Sequence, residues 1–296
     1  MSFAFVRVLG VGGICHLLIL PGTASALTTI DSVHDDAYGA NIGWINARGD
    51  IANGLVVGEA FCSGYMYGAN VGWIDMGDGM PDDGLAYSNS ASNDYGVNVG
   101  ANGALRGFAY GANIGWVKFE SMGNPVVDLL TGDLDGFAYG ANVGWISLGD
   151  IMGHVQTDRL DPGPDQDGDM LPDAWELSHS GLLSVLRMDG DGDGDGATDK
   201  EEYLAGTDPL DADSLFVITD KVLDPSMSEG HVTWNSVPTR LYRVELNPDP
   251  TNPSGWVDSG LANQAPDAGT QTTRTVPIGG SDLENYRVNA IRPLVP

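Results

Sequence analysis

The sequence predicts a mainly β chain in three parts: an N-terminal domain of repeated β-hairpins, a short linker of acidic loops and helices, and a small C-terminal β-sandwich. Three observations predict it. Glycine is abundant, 42 of 296 residues, while hydrophobic residues still make up 42%; that pairing favours many tight turns between short strands over disorder. A nine-residue motif recurs four times before residue 150. After residue 214, apolar and polar side chains alternate between breaks of Pro, Asn, Asp and Gly, as short strands do.

Residues 1–26 read as a targeting segment. They carry Arg7, an apolar run over Val8–Leu20, and the small residues Ala24, Ser25 and Ala26 before Leu27. This is the layout of a secretory signal peptide with an A-x-A cleavage site. The run is interrupted by glycine, His16 and Pro21, and is short for a membrane span. Cleavage is expected to remove Cys15, leaving Cys62 without a disulfide partner. The mature chain is therefore expected outside the cell, soluble or loosely held at the surface, with no transmembrane segment.

Residues 27–157 form the repeat domain. "AYGANIGWI" begins at Ala37, "MYGANVGWI" at Met66, "AYGANIGWV" at Ala109 and "AYGANVGWI" at Ala138, with a degenerate "YGVNVG" at Tyr95–Gly100. Gly and Asn accept positive φ readily, so each G-A-N reverses the chain between two short strands. Tyr and Trp on either side can pair across the hairpin. Such units cannot bury a face alone and must stack or close; a solenoid, a propeller and a barrel all satisfy this. The aromatics Tyr38, Trp44, Tyr67, Trp73, Tyr110, Trp116, Tyr139 and Trp145 read as core packing residues, repeated because the fold repeats. Stacking against sugar rings is the alternative. Asn41, Asn70, Asn113 and Asn142 read as turn residues.

Residues 158–214 are the acidic linker. The chain has a net charge of −28, which argues against nucleic acid or an anionic membrane as a partner. Residues 150–213 hold 18 Asp and Glu against Arg159, Arg187 and Lys200. A segment that repels itself so strongly should expand unless cations neutralise it. In a twelve-residue frame, Asp191, Asp193, Asp195, Ala197, Asp199 and Glu202 fall at positions 1, 3, 5, 7, 9 and 12, with Gly196 at the bend. That spacing supplies calcium with its oxygens: inward carboxylates, a backbone carbonyl at position 7 and a bidentate glutamate at 12. "DQDGDMLPDAWE" repeats it with Asp165, Asp167, Asp169, Leu171, Asp173 and Glu176, but Met170 replaces the glycine at position 6 and strains the bend. A short helix follows each loop, stopped at Gly181 and Gly206. A solvated acidic tether is the competing reading, yet a tether has no reason to place glutamate at position 12 twice. Magnesium fits less well because it keeps several waters.

With its "GTDPLDADS" tail, this pair of loops resembles the calcium-binding modules related to thrombospondin type 3 repeats in secreted bacterial proteins. Such modules are similar to EF-hand loops lacking the preceding helix. The resemblance implies that the residues named above ligate Ca2+, with Asp208, Asp211 and Asp213 as further candidates. Dockerin modules are a more distant likeness, lacking here their second helix and recognition residues. "GFAYGANVGWI" resembles a G-Y-A-W-x-E-N-x-G-W-I repeat of secreted bacterial proteins, which adds no mechanism.

Residues 215–296 read as a small antiparallel sandwich with Trp234, Tyr242, Trp256 and Tyr286 in its core, resembling immunoglobulin-like or fibronectin-like end modules. His34, His154, His179 and His231 lie far apart in sequence and in no zinc or triad motif, and Cys62 has no basic neighbour. The chain is therefore not expected to be an enzyme. It is expected to be a secreted calcium-binding protein of structural or adhesive character, in which the ion stiffens the segment joining two β domains. A carbohydrate-binding surface protein and an extracellular hydrolase are the alternatives; an extracellular glycan or surface protein is the class of partner.

Overall fold

The computed structural model describes residues 27–149, 152–224, 229–249, 251–277 and 285–295. The targeting segment with Cys15 lies outside the described residues. The chain is mainly β, 43% strand and 6% helix. It divides into two compact units between Ser184 and Val185, with 293–295 belonging to the first. The division falls between the two acidic loops.

The first unit is a barrel built from the repeats. β1 (Ile30–Gly39) pairs with β2 (Gly43–Asn46) through the first motif. A two-stranded sheet, β3 (Val56–Val57) and β4 (Cys62–Ser63), intervenes. β5 (Tyr65–Gly68) and β6 (Gly72–Asp75) form the second hairpin. The degenerate copy supplies β7 (Val97–Val99), an extra strand beside the third hairpin, β8 (Leu105–Gly111) and β9 (Gly115–Phe119). After β10 (Val126–Val127), β11 (Asp133–Gly140) and β12 (Gly144–Gly149) make the fourth, and β13 (His154–Thr157) follows. Each hairpin pairs edge to edge with the next, and β12 and β13 return to β1. Nine strands thus close into a barrel. Closure leaves no bare sheet edge within the ring.

Hydrogen bonds from the motif itself fasten the ring. Asn70 Nδ2 donates to the carbonyl of Ile42, Asn113 to Val71, Asn142 to Ile114 and Asn41 to Val143, each at 3.0 Å. Every turn therefore grips the turn before it, and the first grips the last. The glycine after each gripped residue has φ of +76° to +80°, and a Cβ there would meet the neighbouring Asn amide at 3.2–3.5 Å. Glycine suits both demands.

The inside of the barrel is aliphatic. Cross-strand pairs Ala37–Ile45, Met66–Ile74, Ala109–Val117 and Ala138–Ile146 point inward and are buried. Each fully buried Ile or Val is worth about 2 kcal/mol. The strand period of two then sends the motif's aromatics outward, which corrects the expectation that they form the core. Trp44, Trp73, Trp116 and Trp145 are 41–52% exposed. Each meets its cross-strand tyrosine with ring centroids 4.8–5.0 Å apart.

In the second unit, α2 (Asp199–Ala205) precedes six strands; α1 (Asp173–Ser180) belongs to the first. β14 (Ile218–Asp224), β15 (Glu229–Asn235) and β18 (Gln271–Pro277) make one sheet, and β17 (Val257–Gln264), β16 (Leu241–Asn247) and β19 (Asn285–Ile291) the other. Trp234, Tyr242, Val244, Tyr286 and Val288 fill the space between them, as a sandwich requires. Trp256 is not among them: it is half-buried outside this cluster, under the guanidinium of Arg287 at 4.6 Å. Phe216 joins the core instead, stacked on Tyr242 at 5.7 Å.

Replacing Asn41 by Ala removes the bond that joins the first and last hairpins, and is expected to lower barrel stability by about 1 kcal/mol. Gly144→Ala, which forces a side chain into positive φ beneath that amide, is expected to cost about 1–2 kcal/mol. Urea unfolding followed by tryptophan fluorescence measures both. Losses no larger than that of the exposed Ser90→Ala would refute the gripping role.

Candidate metal centre

Each acidic loop is shaped by its own carboxylates acting on its own amides. Asp165 accepts the amides of Gly168 and Met170 at 2.8 and 3.1 Å; Asp191 accepts those of Gly194 and Gly196 at 2.7 and 3.1 Å. Asp169 accepts the Leu171 amide and Asp195 the Ala197 amide, at 2.9 and 2.7 Å. Asp173 reaches back to the Gln166 amide and Asp199 to the Gly192 amide, at 2.8 and 2.9 Å. These four bonds match position for position in the two loops. Both oxygens of Asp199 are engaged by main chain, since Arg187 donates to the second at 2.7 Å. The residues at position 9 are thus buried loop organisers, a role the spacing alone did not reveal.

The loops so shaped bring three carboxylates together in each. Asp165, Asp167 and Asp169 can place one oxygen each within 4.8 Å of one another, as can Asp191, Asp193 and Asp195. Glu176 on α1 and Glu202 on α2 are 0% and 1% exposed, and none of their four carboxylate oxygens has a hydrogen-bond partner. Asp169 Oδ2, Asp173 Oδ2, Asp193 Oδ2 and Asp195 Oδ2 are likewise buried and unpartnered. Among the described residues, no Lys, Arg or His ion pair involves either loop. Buried carboxylate oxygens are costly without a proton, a donor or a metal. An all-oxygen set of this kind fits a hard cation. Leu171 and Ala197, expected to offer carbonyls, occupy the turn before each helix; the Leu171 side chain is fully buried and anchors its loop. Asp208, Asp211 and Asp213 belong to neither aspartate triad and lie in an exposed turn.

Each loop is fastened to its own unit. In the first, Ala174 of α1 packs with Phe61 and Tyr87, and the Asp173 amide bonds the Pro164 carbonyl at 2.9 Å. In the second, Ala205 of α2 enters the sandwich core, while Arg240 donates to the Leu204 and Tyr203 carbonyls at 2.7 and 3.0 Å. That places a cation at the helix C-terminus, where the dipole favours it. Thr198 and Glu201 form a capping box at the helix start, which leaves the adjacent Glu202 free to face the aspartates.

Burial dominates the protonation of the two glutamates. It pushes Glu176 up to about 8, helped first by the field of Asp169 and then of Asp167. It lifts Glu202 to about 7, with Asp193, Asp195 and Asp199 adding, while the nearby Thr207 side chain, outside hydrogen-bonding geometry, pulls the other way. Elsewhere, sequence reasoning missed one juxtaposition: His34 and His154 lie ring to ring at 4.2 Å across β1 and β13, each beside an aspartate, Asp31 and Asp133. No local signal could join residues so far apart. The Cys62 thiol is buried and pushed up to about 12 by desolvation, so it is no nucleophile at neutral pH.

Because both glutamates hold protons more tightly when folded, the metal-free fold is favoured near the ordinary value of 4.5 and loses that favour as pH rises through about 7 and 8. Asp133, held below its ordinary range chiefly by the His154 hydrogen bond, is already ionised throughout that window. In chelator, the melting temperature is expected to be higher at pH 5.5 than at pH 8.5. Added divalent cation is expected to raise it more at pH 8.5. Scanning calorimetry in the two buffers checks the sign; a chelated protein more stable at the higher pH contradicts it. Comparisons with family models, with curated proteins and with solved structures give no match, so the case for this centre rests on its own residues.

Proposed function

We propose that this chain is a secreted calcium-binding protein of structural or adhesive character, whose acidic middle segment folds around Ca2+ and stiffens the chain between two β domains. One observation carries the reading: at position 12 of two matched loops, a glutamate in the field of the loop's aspartates is fully buried with both oxygens unpartnered. Calcium meets that arrangement better than magnesium, because it accepts many carboxylate oxygens and a bidentate glutamate with little retained water. Without the ion the segment repels itself, so binding free energy emerges as folding and rigidity. Asp165, Asp167, Asp169 and Glu176 hold one ion, and Asp191, Asp193, Asp195 and Glu202 the other; Leu171 and Ala197 give carbonyls, and Asp173 and Asp199 set the loops. Calorimetric titration of the metal-free chain is expected to give two calcium ions per molecule. Asp191→Asn with Glu202→Gln is expected to leave one. An unchanged stoichiometry overturns the assignment of the second site.

A second reading has its own support. Four tryptophans, each braced by an inclined tyrosine ring, stand 41–52% exposed around the barrel, and exposed indoles offer the flat apolar faces on which pyranose rings stack. This favours a carbohydrate-binding surface protein over an extracellular hydrolase. Glycan-array binding that is present in the wild type and at least about tenfold weaker in Trp116→Ala, a loss of about 1.4 kcal/mol, would support it. Absence of binding across a broad array removes it.

A further inference from the structure

The two loops share a hydrogen-bonding plan but not an equal ability to adopt it. Position 6 has φ of +99° at Gly196 and +76° at Met170. A side chain in that region is strained, and the exposed Met170 side chain gains no core contact in return. The helices that carry the closing glutamates differ too. Thr198 caps α2 through its side chain and a reciprocal bond from Glu201, whereas Pro172 at the start of α1 offers no side-chain cap. The aspartates differ in exposure: Asp165 and Asp167 are exposed and Asp169 half-buried, whereas Asp191 is exposed and both Asp193 and Asp195 are half-buried. Water therefore competes more at the first loop. All three differences act in one direction. They bear on affinity because a loop that repels itself without metal takes up its strained form as the ion binds, so strain is subtracted from binding.

Resting on the calcium reading above, we infer that the two sites fill in order: the Asp191–Glu202 loop at lower calcium, and the Asp165–Glu176 loop at a concentration about tenfold higher. The division of the chain between the loops makes this more than a difference in constants. The first ion braces the sandwich unit, through α2 and Ala205. The second braces the barrel unit, through α1 and Ala174. The chain thus reads calcium at two thresholds, one for each unit, and Met170 sets the upper one.

The test is calcium titration calorimetry on the full mature chain, with terbium luminescence as a second measurement. Trp175 sits inside the first loop at position 11 and can sensitise an ion bound there. Wild type is expected to show two separated steps, with Trp175-sensitised emission following the weaker. Met170→Gly is expected to tighten the weaker step about tenfold and bring the two together. Gly196→Met is expected to weaken the tighter step by a similar factor. Glu176→Gln is expected to remove the weaker step and leave the tighter one intact. Two equal sites in wild type, or a Met170→Gly chain with its spacing unchanged, overturn the ordering and leave calcium binding standing. Absence of any calcium heat in wild type, by contrast, takes down the calcium reading itself.

Discussion

A carboxylate shut away from water with nothing to donate to it is the constraint on which the middle of this chain depends. Glu176 and Glu202 are each in that position, twenty-six residues apart, at the same place in the same loop. A protein has three ways to satisfy such a group: a proton, a basic partner or a metal. The described ion pairs leave out the second. The raised proton affinities express the first, and the three aspartates gathered in each loop make the third open to it, since such a cluster could hold a metal ion. Helix starts, loop turns and the anchoring of α1 and α2 to their units all serve to hold those oxygens in place.

The barrel solves a different problem with equally local means. One nine-residue motif supplies an inward aliphatic pair, an outward aromatic pair, a glycine for the turn and an asparagine that reaches the preceding turn in the ring. Four copies, with β13 added beside the last, then close into the ring. The interior is filled by Ala, Met, Ile and Val rather than by rings, because so narrow a barrel has no room for four indoles.

Much of this was legible in the sequence, and the failures have physical reasons. The repeat, the mainly β class and the grouping of the aspartates followed from spacing alone, since each depends on contacts within a dozen or so residues. The burial of the repeat aromatics was misjudged by treating recurrence as a sign of core position. Parity held the answer: in A-Y-G and G-W-I the small or branched residue and the ring fall on opposite faces of the strand, and the four Ala, Met, Ile and Val pairs had the better claim to the inside. Trp256 was misplaced for a related reason, since aromatic character does not distinguish a core position from a sheet margin covered by Arg287. The loop-organising hydrogen bonds of Asp173 and Asp199 were hidden because a carboxylate at position 9 looks the same whether it faces an ion or an amide. The meeting of His34 with His154 depends on ring closure, which no local pattern encodes.

The grip of Asn41 on Val143 spans 102 residues of chain. A nascent barrel holding three hairpins is an open sheet with two unpaired margins. Either margin can recruit a strand from another molecule. Arrival of the fourth hairpin is what turns an assembly-prone ribbon into a self-contained ring, so any truncation ahead of it should produce oligomers rather than a smaller barrel.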